Sequence, residues 1–297
     1  MRSSGSVLVL LSGAAFGAMA VFGRLGFENG ATVGTLLAAR FVLAALVWWV
    51  VLIGTRAAAL RSLTRRDALF GLALGTFGYA AQAGGYFTAL ERMDASVLSL
   101  LVYTYPALVG VAAVALGRER LDGRRVLALA CASGGLVLVL AGAGTGALDP
   151  LGTVLGIATA LVYSAYILTG ERLAARVPAS ILSALVCTGA AATLTTAAAL
   201  LGQLRPAEVT PAGWGWIGCL VVVSTVGAVS LFFAGLARVG PTTAAILSTV
   251  EPLTTVVLAV IVFSEVLHPV QVVGGGLVLS AVLVLHLRFA RVAHATA

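Results

Sequence analysis

Ten apolar runs follow one another along the chain, at 6–26, 32–53, 68–90, 95–116, 125–142, 151–170, 179–202, 212–236, 242–263 and 269–288. Each is close to the ~20 residues that a helix needs to cross a bilayer. Hydrocarbon offers the backbone no hydrogen-bond partner, so segments of this kind must be helical. The loops between them are short and leave no room for a soluble domain. Composition agrees, with 60% hydrophobic and 10% charged residues and a mean hydropathy of +1.09. Soluble domains carry about 25% charged residues. The expected fold is an all-α integral membrane protein of ten transmembrane helices.

Charge placement supports the count. All 18 basic residues are Arg. With a cytoplasmic N-terminus, Arg2, Arg56, Arg61, Arg65, Arg66, Arg118, Arg120, Arg124, Arg125, Arg172, Arg176, Arg238, Arg288 and Arg291 fall inside. Only Arg24, Arg92 and Arg205 fall outside, and Arg40 lies within the second span. This is a strong positive-inside bias. It predicts both termini in the cytoplasm and, with the Arg-for-Lys usage, a bacterial cytoplasmic membrane. Trp48, Trp49, Trp214 and Trp216 lie toward span ends, as interfacial anchors do. The net charge of +7 is spread between apolar runs and forms no basic face, which excludes nucleic acid as a partner.

The start, Arg2 followed by an apolar run and Ala18-Met19-Ala20, has the form of a signal peptide. It reads better as an uncleaved first span, because an internal repeat needs it. A shift of 146 residues lays the fourth and fifth spans on the ninth and tenth without a gap. Phe87 then meets Phe233, Leu90 meets Leu236, Arg92 meets Arg238 and Pro106 meets Pro252. Glu119 meets Glu265, and Leu121 meets Leu267. The first and sixth spans also correspond. The halves, 1–145 and 146–297, hold five helices each. Five is odd, so the second half enters the membrane from the opposite side. Inverted repeats of this kind characterise secondary transporters.

Ala38-Ala39-Arg40-Phe41 opens span two, Tyr103-Thr104-Tyr105-Pro106 lies in span four, and Val250-Glu251-Pro252-Leu253 in span nine. Gly117-Arg118-Glu119-Arg120-Leu121 follows span four, and Ser264-Glu265-Val266-Leu267 follows span nine. In order and spacing the chain resembles the EamA family of the drug/metabolite transporter superfamily over nearly its whole length. That resemblance implies a ten-helix transporter of small metabolites, often an exporter of amino acids or related compounds. The aromatic–Gly pair often seen in spans one and six of the family stands here as Phe16-Gly17 and Tyr163-Ser164.

Two of the eight prolines, Pro106 and Pro252, interrupt spans, and they are repeat mates. Proline removes the bond to the carbonyl at i−4, so each helix is expected to bend there. Paired interruptions point to a transporter's binding site. Glu251 precedes one of them. A charge at the bilayer centre costs about 2.5–3.5 kcal/mol on insertion scales, so it requires a cavity, a partner or a proton. Ser248 and Thr255 share its helix face and are expected to bond to it. Glu251 would bind a substrate amine, couple protons, or pair with Arg40. Arg40 would capture a substrate carboxylate, snorkel to the interface, or neutralise Glu251. Together the two would hold the ends of a zwitterion, which favours amino-acid-like substrates.

Tyr79, Gln82 and Tyr86 form one polar-aromatic stripe on span three. Tyr103 and Tyr105 flank the kink in span four, and Tyr163, Ser164 and Tyr166 dot span six. Aromatic faces with few polar tips suit small-molecule sites. The candidate substrate-binding set is therefore Glu251, Arg40, Tyr79, Gln82, Tyr86, Tyr103, Tyr105, Tyr163, Ser164 and Ser248. The expected cavity lies between spans one, three, four, six, eight and nine.

Gly13/Gly17, Gly71/Gly75 and Gly152/Gly156 are spaced for close helix packing. Glu119 and Glu265 read as interfacial caps. Cys131, Cys187 and Cys219 read as packing residues. His268, His286 and His294 have no second metal ligand at useful spacing, so no metal is expected. No nucleophile–base cluster or phosphate-cradling loop appears, so the chain does not read as an enzyme and needs no cofactor. The expected partners are a small-molecule substrate, lipid, a proton as coupling ion, and a second copy in a homodimer. Export of lipophilic cations or drugs, with Glu251 as counter-charge, and a non-transport membrane scaffold are the competing readings.

Overall fold

The computed structural model describes residues 2–55, 63–90, 92, 98, 101–118, 122–141, 149–263, 268–270, 272–278, 280–281 and 284. Ten helices run through them. They are α1 (Arg2–Glu28), α2 (Val33–Thr55), α3 (Arg65–Leu90), α4 (the described part being residues 98 and 101–102 and Tyr105–Ala115) and α5 (Gly123–Ala141). The second half supplies α6 (Pro150–Ala174), α7 (Ala179–Leu200), α8 (Pro211–Val239), α9 (Pro241–Phe263) and α10, which begins at Pro269. Among the described residues there is no strand. Glu119 and Glu265, Arg56, Arg61, Arg120, Arg288, Arg291, His286 and His294 lie outside the described residues.

Local chemistry sets the ends. Asp149 Oδ1 accepts from the Gly152 amide at 2.6 Å and Thr210 Oγ1 from the Gly213 amide at 3.1 Å. Each cap is followed by a proline in the first turn, where a missing N–H costs nothing. Between α8 and α9 the chain reverses within one residue, Gly240, at φ 80°. That left-handed backbone favours glycine.

The two halves pack as the repeat requires. The α1–α8 contact has its counterpart in α6–α3, and α1–α9 in α6–α4. The pairs α2–α7 and α4–α9 map onto themselves. So does α5–α10, where a methyl on Gly135 would come within 2.6 Å of Gly274 O. A set of contacts preserved when the halves are exchanged is what a pseudo-twofold axis between inverted five-helix repeats produces.

The small residues lie where helices meet. A methyl on Gly17 would sit 2.6 Å from Glu251 O, and one on Gly13 2.6 Å from Val250 Cγ1, so α1 lies directly against the break in α9. Gly71 and Gly75 face Leu185 and the Val186 backbone of α7, and Gly156 faces Leu101 of α4. Cys187 is fully buried between helices, and all three cysteines are free.

Two of the tryptophans make contacts across helices: Trp49 Nε1 donates to Thr188 Oγ1 at 2.9 Å, which ties α2 to α7, and Trp216 stacks on Phe22 at 6.3 Å.

The Tyr105–Ala115 part of α4 packs along Pro241–Ser248 of α9, and Val250–Phe263 packs on α1 as Tyr105–Ala115 packs on α6. One feature breaks the symmetry among the described residues. α6 packs along Ala228–Val239 of α8, while the corresponding approach of α1 to the second half of α3 is sparser and includes a ring contact of Phe27 with Phe87 at 6.4 Å.

Candidate functional site

The two proline-bearing helices break within three residues before the proline. In α4 the turn falls at Tyr103 and Thr104, where the Thr104 amide and hydroxyl both donate to Leu101 O, at 3.3 and 2.7 Å. In α9 it falls at Thr249, whose amide and hydroxyl donate to Ile246 O at 3.2 and 2.6 Å. The same device serves both halves: a threonine tightens the last turn with i−3 bonds where the proline ends the i−4 ladder.

Two further irregularities stand on repeat-related helices. Residues Leu74–Tyr79 of α3 and Val222–Gly227 of α8 are π-helical. Within the second, Thr225 Oγ1 donates to Leu220 O at 3.0 Å, the i−5 carbonyl. The sequence reading did not anticipate these segments. Their only signal is a small-residue pattern, Gly75 and Gly78 in one and Ser224 and Gly227 in the other.

Arg40 lies between them and is 1% exposed. Its Nε donates to Thr225 Oγ1 at 2.8 Å, and Nη2 reaches Tyr79 Oη and Ser224 O, both at 3.4 Å. Nη1 rests on the Met19 sulfur at 2.9 Å, and the guanidinium lies 4.9 Å from the centre of the Phe41 ring. It does not snorkel. Nor does it form an ion pair with Glu251 within 4.0 Å, although the charge of Arg40 acts on that carboxyl. A buried guanidinium with one short bond and a thioether under its Nη1 is under-satisfied, since sulfur is a weak acceptor.

Glu251 is half-buried beside the break in α9, with Tyr103 as a neighbour. The expected bonds from Ser248 and Thr255 are absent. Thr255 Oγ1 donates to Gly17 O at 2.9 Å and to Glu251 O at 3.2 Å, both backbone. Ser248 is buried against Tyr105. In lipid, hydroxyls on a broken helix serve carbonyls that water cannot reach.

Around the carboxylate the tyrosines form a continuous chain of rings. Tyr103 meets Tyr105 at 5.8 Å, Tyr105 meets Tyr163 at 4.6 Å, Tyr163 meets Tyr166 at 6.1 Å and Tyr166 meets Tyr79 at 5.5 Å. Phe41 and Phe233 extend it, at 5.2 Å from Tyr79 and 6.0 Å from Tyr166. Tyr86 packs on Phe87 at 5.4 Å and interacts with Tyr103. Gln82 is half-buried. Ser164 Oγ is occupied by Ala160 O at 2.7 Å, as helix hydroxyls commonly are. Pro106 and Pro252 are both buried at the breaks. The structure thus brings Glu251, Arg40 and the five tyrosines 79, 103, 105, 163 and 166 into one cluster. It adds Thr225, Ser224, Met19, Phe41 and Phe233, which the sequence did not single out.

Inverted repeats, paired broken helices and a charged pair of residues inside the bundle define a multi-pass membrane protein of the secondary-transporter type. Comparison with known proteins narrows this. The profile of the EamA-like transporter family matches residues 3–141 and again 150–287. An uncharacterized transporter of Bacillus subtilis, YcbK, is 23% identical over 280 residues, covering 92% of this chain and 90% of the relative. An uncharacterized transporter of Archaeoglobus fulgidus is 30% identical over 227 residues, covering 76% and 78%. A protein solved by crystallography superposes with a TM-score of 0.82 at 21% identity, over 98% of this chain and 99% of that one, and so shares the fold. The chain belongs to the EamA-like transporter family.

Proposed function

We propose that the protein exports small zwitterionic metabolites, amino acids or related compounds, by alternating access around the site between α1, α3, α4, α6, α8 and α9. One observation carries this reading. Glu251 and Arg40 are opposite charges in the same bundle, yet they are not closed into an ion pair within 4.0 Å. A zwitterion placed between them would give an ammonium to Glu251 and a carboxylate to Nη1 of Arg40, displacing the Met19 sulfur. The tyrosine rings would cover its side chain and keep water away from the charges. Export follows the family resemblance, and a proton on Glu251 when substrate is absent would supply the coupling. On this reading the protein is a carrier and not an enzyme, with two five-helix units meeting near residue 145 and both termini in the cytoplasm.

The test is flux of a panel of amino acids and related zwitterions in proteoliposomes. Arg40→Ala and Glu251→Gln should each abolish transport of the compounds that the wild type carries. Normal transport of every such compound by both variants refutes the reading. The aromatic chain around a single half-buried carboxylate also supports a second reading, export of lipophilic cations. In that case Arg40→Ala would keep or raise flux while Glu251→Gln alone would lose it.

A further inference from the structure

The nitrogens of Arg40 are not served alike. Nε donates to Thr225 Oγ1 at 2.8 Å, and Nη2 reaches Tyr79 Oη and Ser224 O at 3.4 Å, so both have oxygen partners. Among the described residues Nη1 has only the Met19 sulfur, at 2.9 Å. A thioether is a weak acceptor, and Arg40 is too deeply buried for bulk water to replace it. Met19 is brought there by α1, which is stitched to α8 and α9 just before it. Ser12 Oγ donates to Ala228 O at 2.7 Å, Ser224 Oγ to Ala15 O at 2.6 Å, and Thr255 Oγ1 to Gly17 O at 2.9 Å. These bonds hold the α1 backbone, but not the side chain at position 19. Methionine is unbranched and turns about three bonds, and Met19 is only half-buried. Its sulfur can leave Nη1 while the helix stays in place.

We infer that Met19 is an internal stand-in for the substrate's carboxylate, and through Arg40 a positioning residue that sets the affinity of the site. In the empty carrier its sulfur occupies Nη1. A carboxylate entering the site displaces it by a change of rotamer and takes the N–H in a charge-assisted bond, which is far stronger than a bond to sulfur. The acceptor at position 19 therefore competes with the substrate from within the chain. Its strength decides how much of the carboxylate's bond appears as affinity. A weak acceptor suits a carrier, which has to release its substrate as well as bind it. With no acceptor at all, Nη1 would stand buried and unpaired in the empty carrier, and binding would relieve that cost. With a strong one, the substrate would have to break a good bond to enter. Thr225, Tyr79 and Ser224 keep the rest of the guanidinium in place during the exchange, so only one side chain has to move.

The inference rests on the proposed placement of a zwitterion's carboxylate at Arg40. It is tested on the full chain in proteoliposomes, with the standard L-amino acids as probes. For each one that the wild type carries, the half-saturating concentration and the maximal flux are measured separately. Met19→Leu keeps the volume and removes the acceptor. It should lower the half-saturating concentration about three- to tenfold, the range for one hydrogen bond. Met19→Gln sets an amide oxygen, a stronger acceptor, at a similar reach, and should raise that concentration by a similar factor. Opposite shifts support the inference, because a side chain that only packs would answer both substitutions with lost stability and not with affinities moved apart. Shifts in the same direction, no shift, or a change in maximal flux alone overturn it. If Met19→Gln does not fold, Met19→Leu decides alone: a lowered half-saturating concentration supports the inference, and a raised or unmoved one overturns it. If the wild type carries none of the amino acids, this inference and the amino-acid reading fall together. Amino acids carried with half-saturating concentrations that do not move oppositely overturn only the role of Met19.

Discussion

Arg40 and Glu251 lie in the same bundle but form no ion pair within 4.0 Å, and the guanidinium is drawn to Thr225 at 2.8 Å instead. The separation has a cost. Two opposite charges in a low-dielectric interior attract strongly, and leaving each without a charged partner is expensive unless hydrogen bonds compensate. For Arg40 the compensation is Thr225, Tyr79, Ser224 and the face of Phe41. Glu251 has Tyr103 beside it. The protein spends part of its packing to hold two charges apart, which is what a site for an ion of both signs requires.

Arg40→Lys should separate charge from geometry. Lysine keeps the charge, but its ammonium has neither the plane nor the fork to reach Thr225 and Tyr79 together. The variant should fold, since charge and stem remain, and should lose about ten- to a hundredfold in transport, as expected for a bond to a charged group of about 1.5–3 kcal/mol. Flux in proteoliposomes, beside thermal unfolding of the same preparation, checks it.

The contact of α1 with the break in α9 gives a second expectation. A methyl at position 17 would meet Glu251 O at 2.6 Å and Thr254 Cβ at 2.7 Å, backbone and branched carbon that have no easy retreat. Gly17→Ala should destabilise the protein by about 1–3 kcal/mol, the usual cost of overpacking, and should slow transport by moving Glu251. Gly23 has nothing within 4 Å. Gly23→Ala should be neutral or stabilising by up to about 1 kcal/mol, because alanine is the better helix former. Equal melting temperatures for the two variants would contradict this account.

The ten helices were legible because lipid permits so few solutions: length and polarity alone define a span. The broken helices were legible because proline leaves a mark in the sequence. The repeat was legible because the fourth and fifth spans keep their register with the ninth and tenth. The π segments at Leu74–Tyr79 and Val222–Gly227 were not, since no residue type demands a π turn and its stability comes from the neighbours. Thr225 escaped for a related reason. A threonine in an apolar run ordinarily serves its own helix, and nothing in the chain's order shows that Arg40 lies opposite, 185 residues away. The bonds expected from Ser248 and Thr255 to Glu251 failed because helix spacing identifies neighbours but not the better acceptor. Here the backbone of Gly17 won.

Glu251 should also decide the coupling. If a proton occupies its carboxyl between substrates, an outward substrate gradient should drive protons the opposite way, read as a pH change by a dye trapped in the liposome. Transport should fall as the pH is raised, because fewer carriers then hold the proton. Glu251→Gln should lose the proton flux and flatten the profile in any residual transport. A wild-type profile in that variant would assign coupling elsewhere or to exchange.

The breaks themselves supply the last expectation. Pro252→Ala returns an N–H whose i−4 acceptor is the Ser248 carbonyl, and Pro106→Ala does the same for Val102. Both prolines are buried where α4 and α9 turn, at Tyr103–Thr104 and Thr249. With the ladder able to close, each helix gains a bond and loses a hinge. The variants should keep or raise their melting temperatures while transport slows about tenfold, equivalent to about 1.4 kcal/mol added to the opening step. The double variant tests whether the hinges act together. If both breaks bend in one concerted exchange, the first substitution removes most of the rate and the second adds less than another factor of ten. Independent hinges would multiply the two losses. Unchanged flux in stable single variants would reduce the prolines to packing features and remove the breaks from the mechanism.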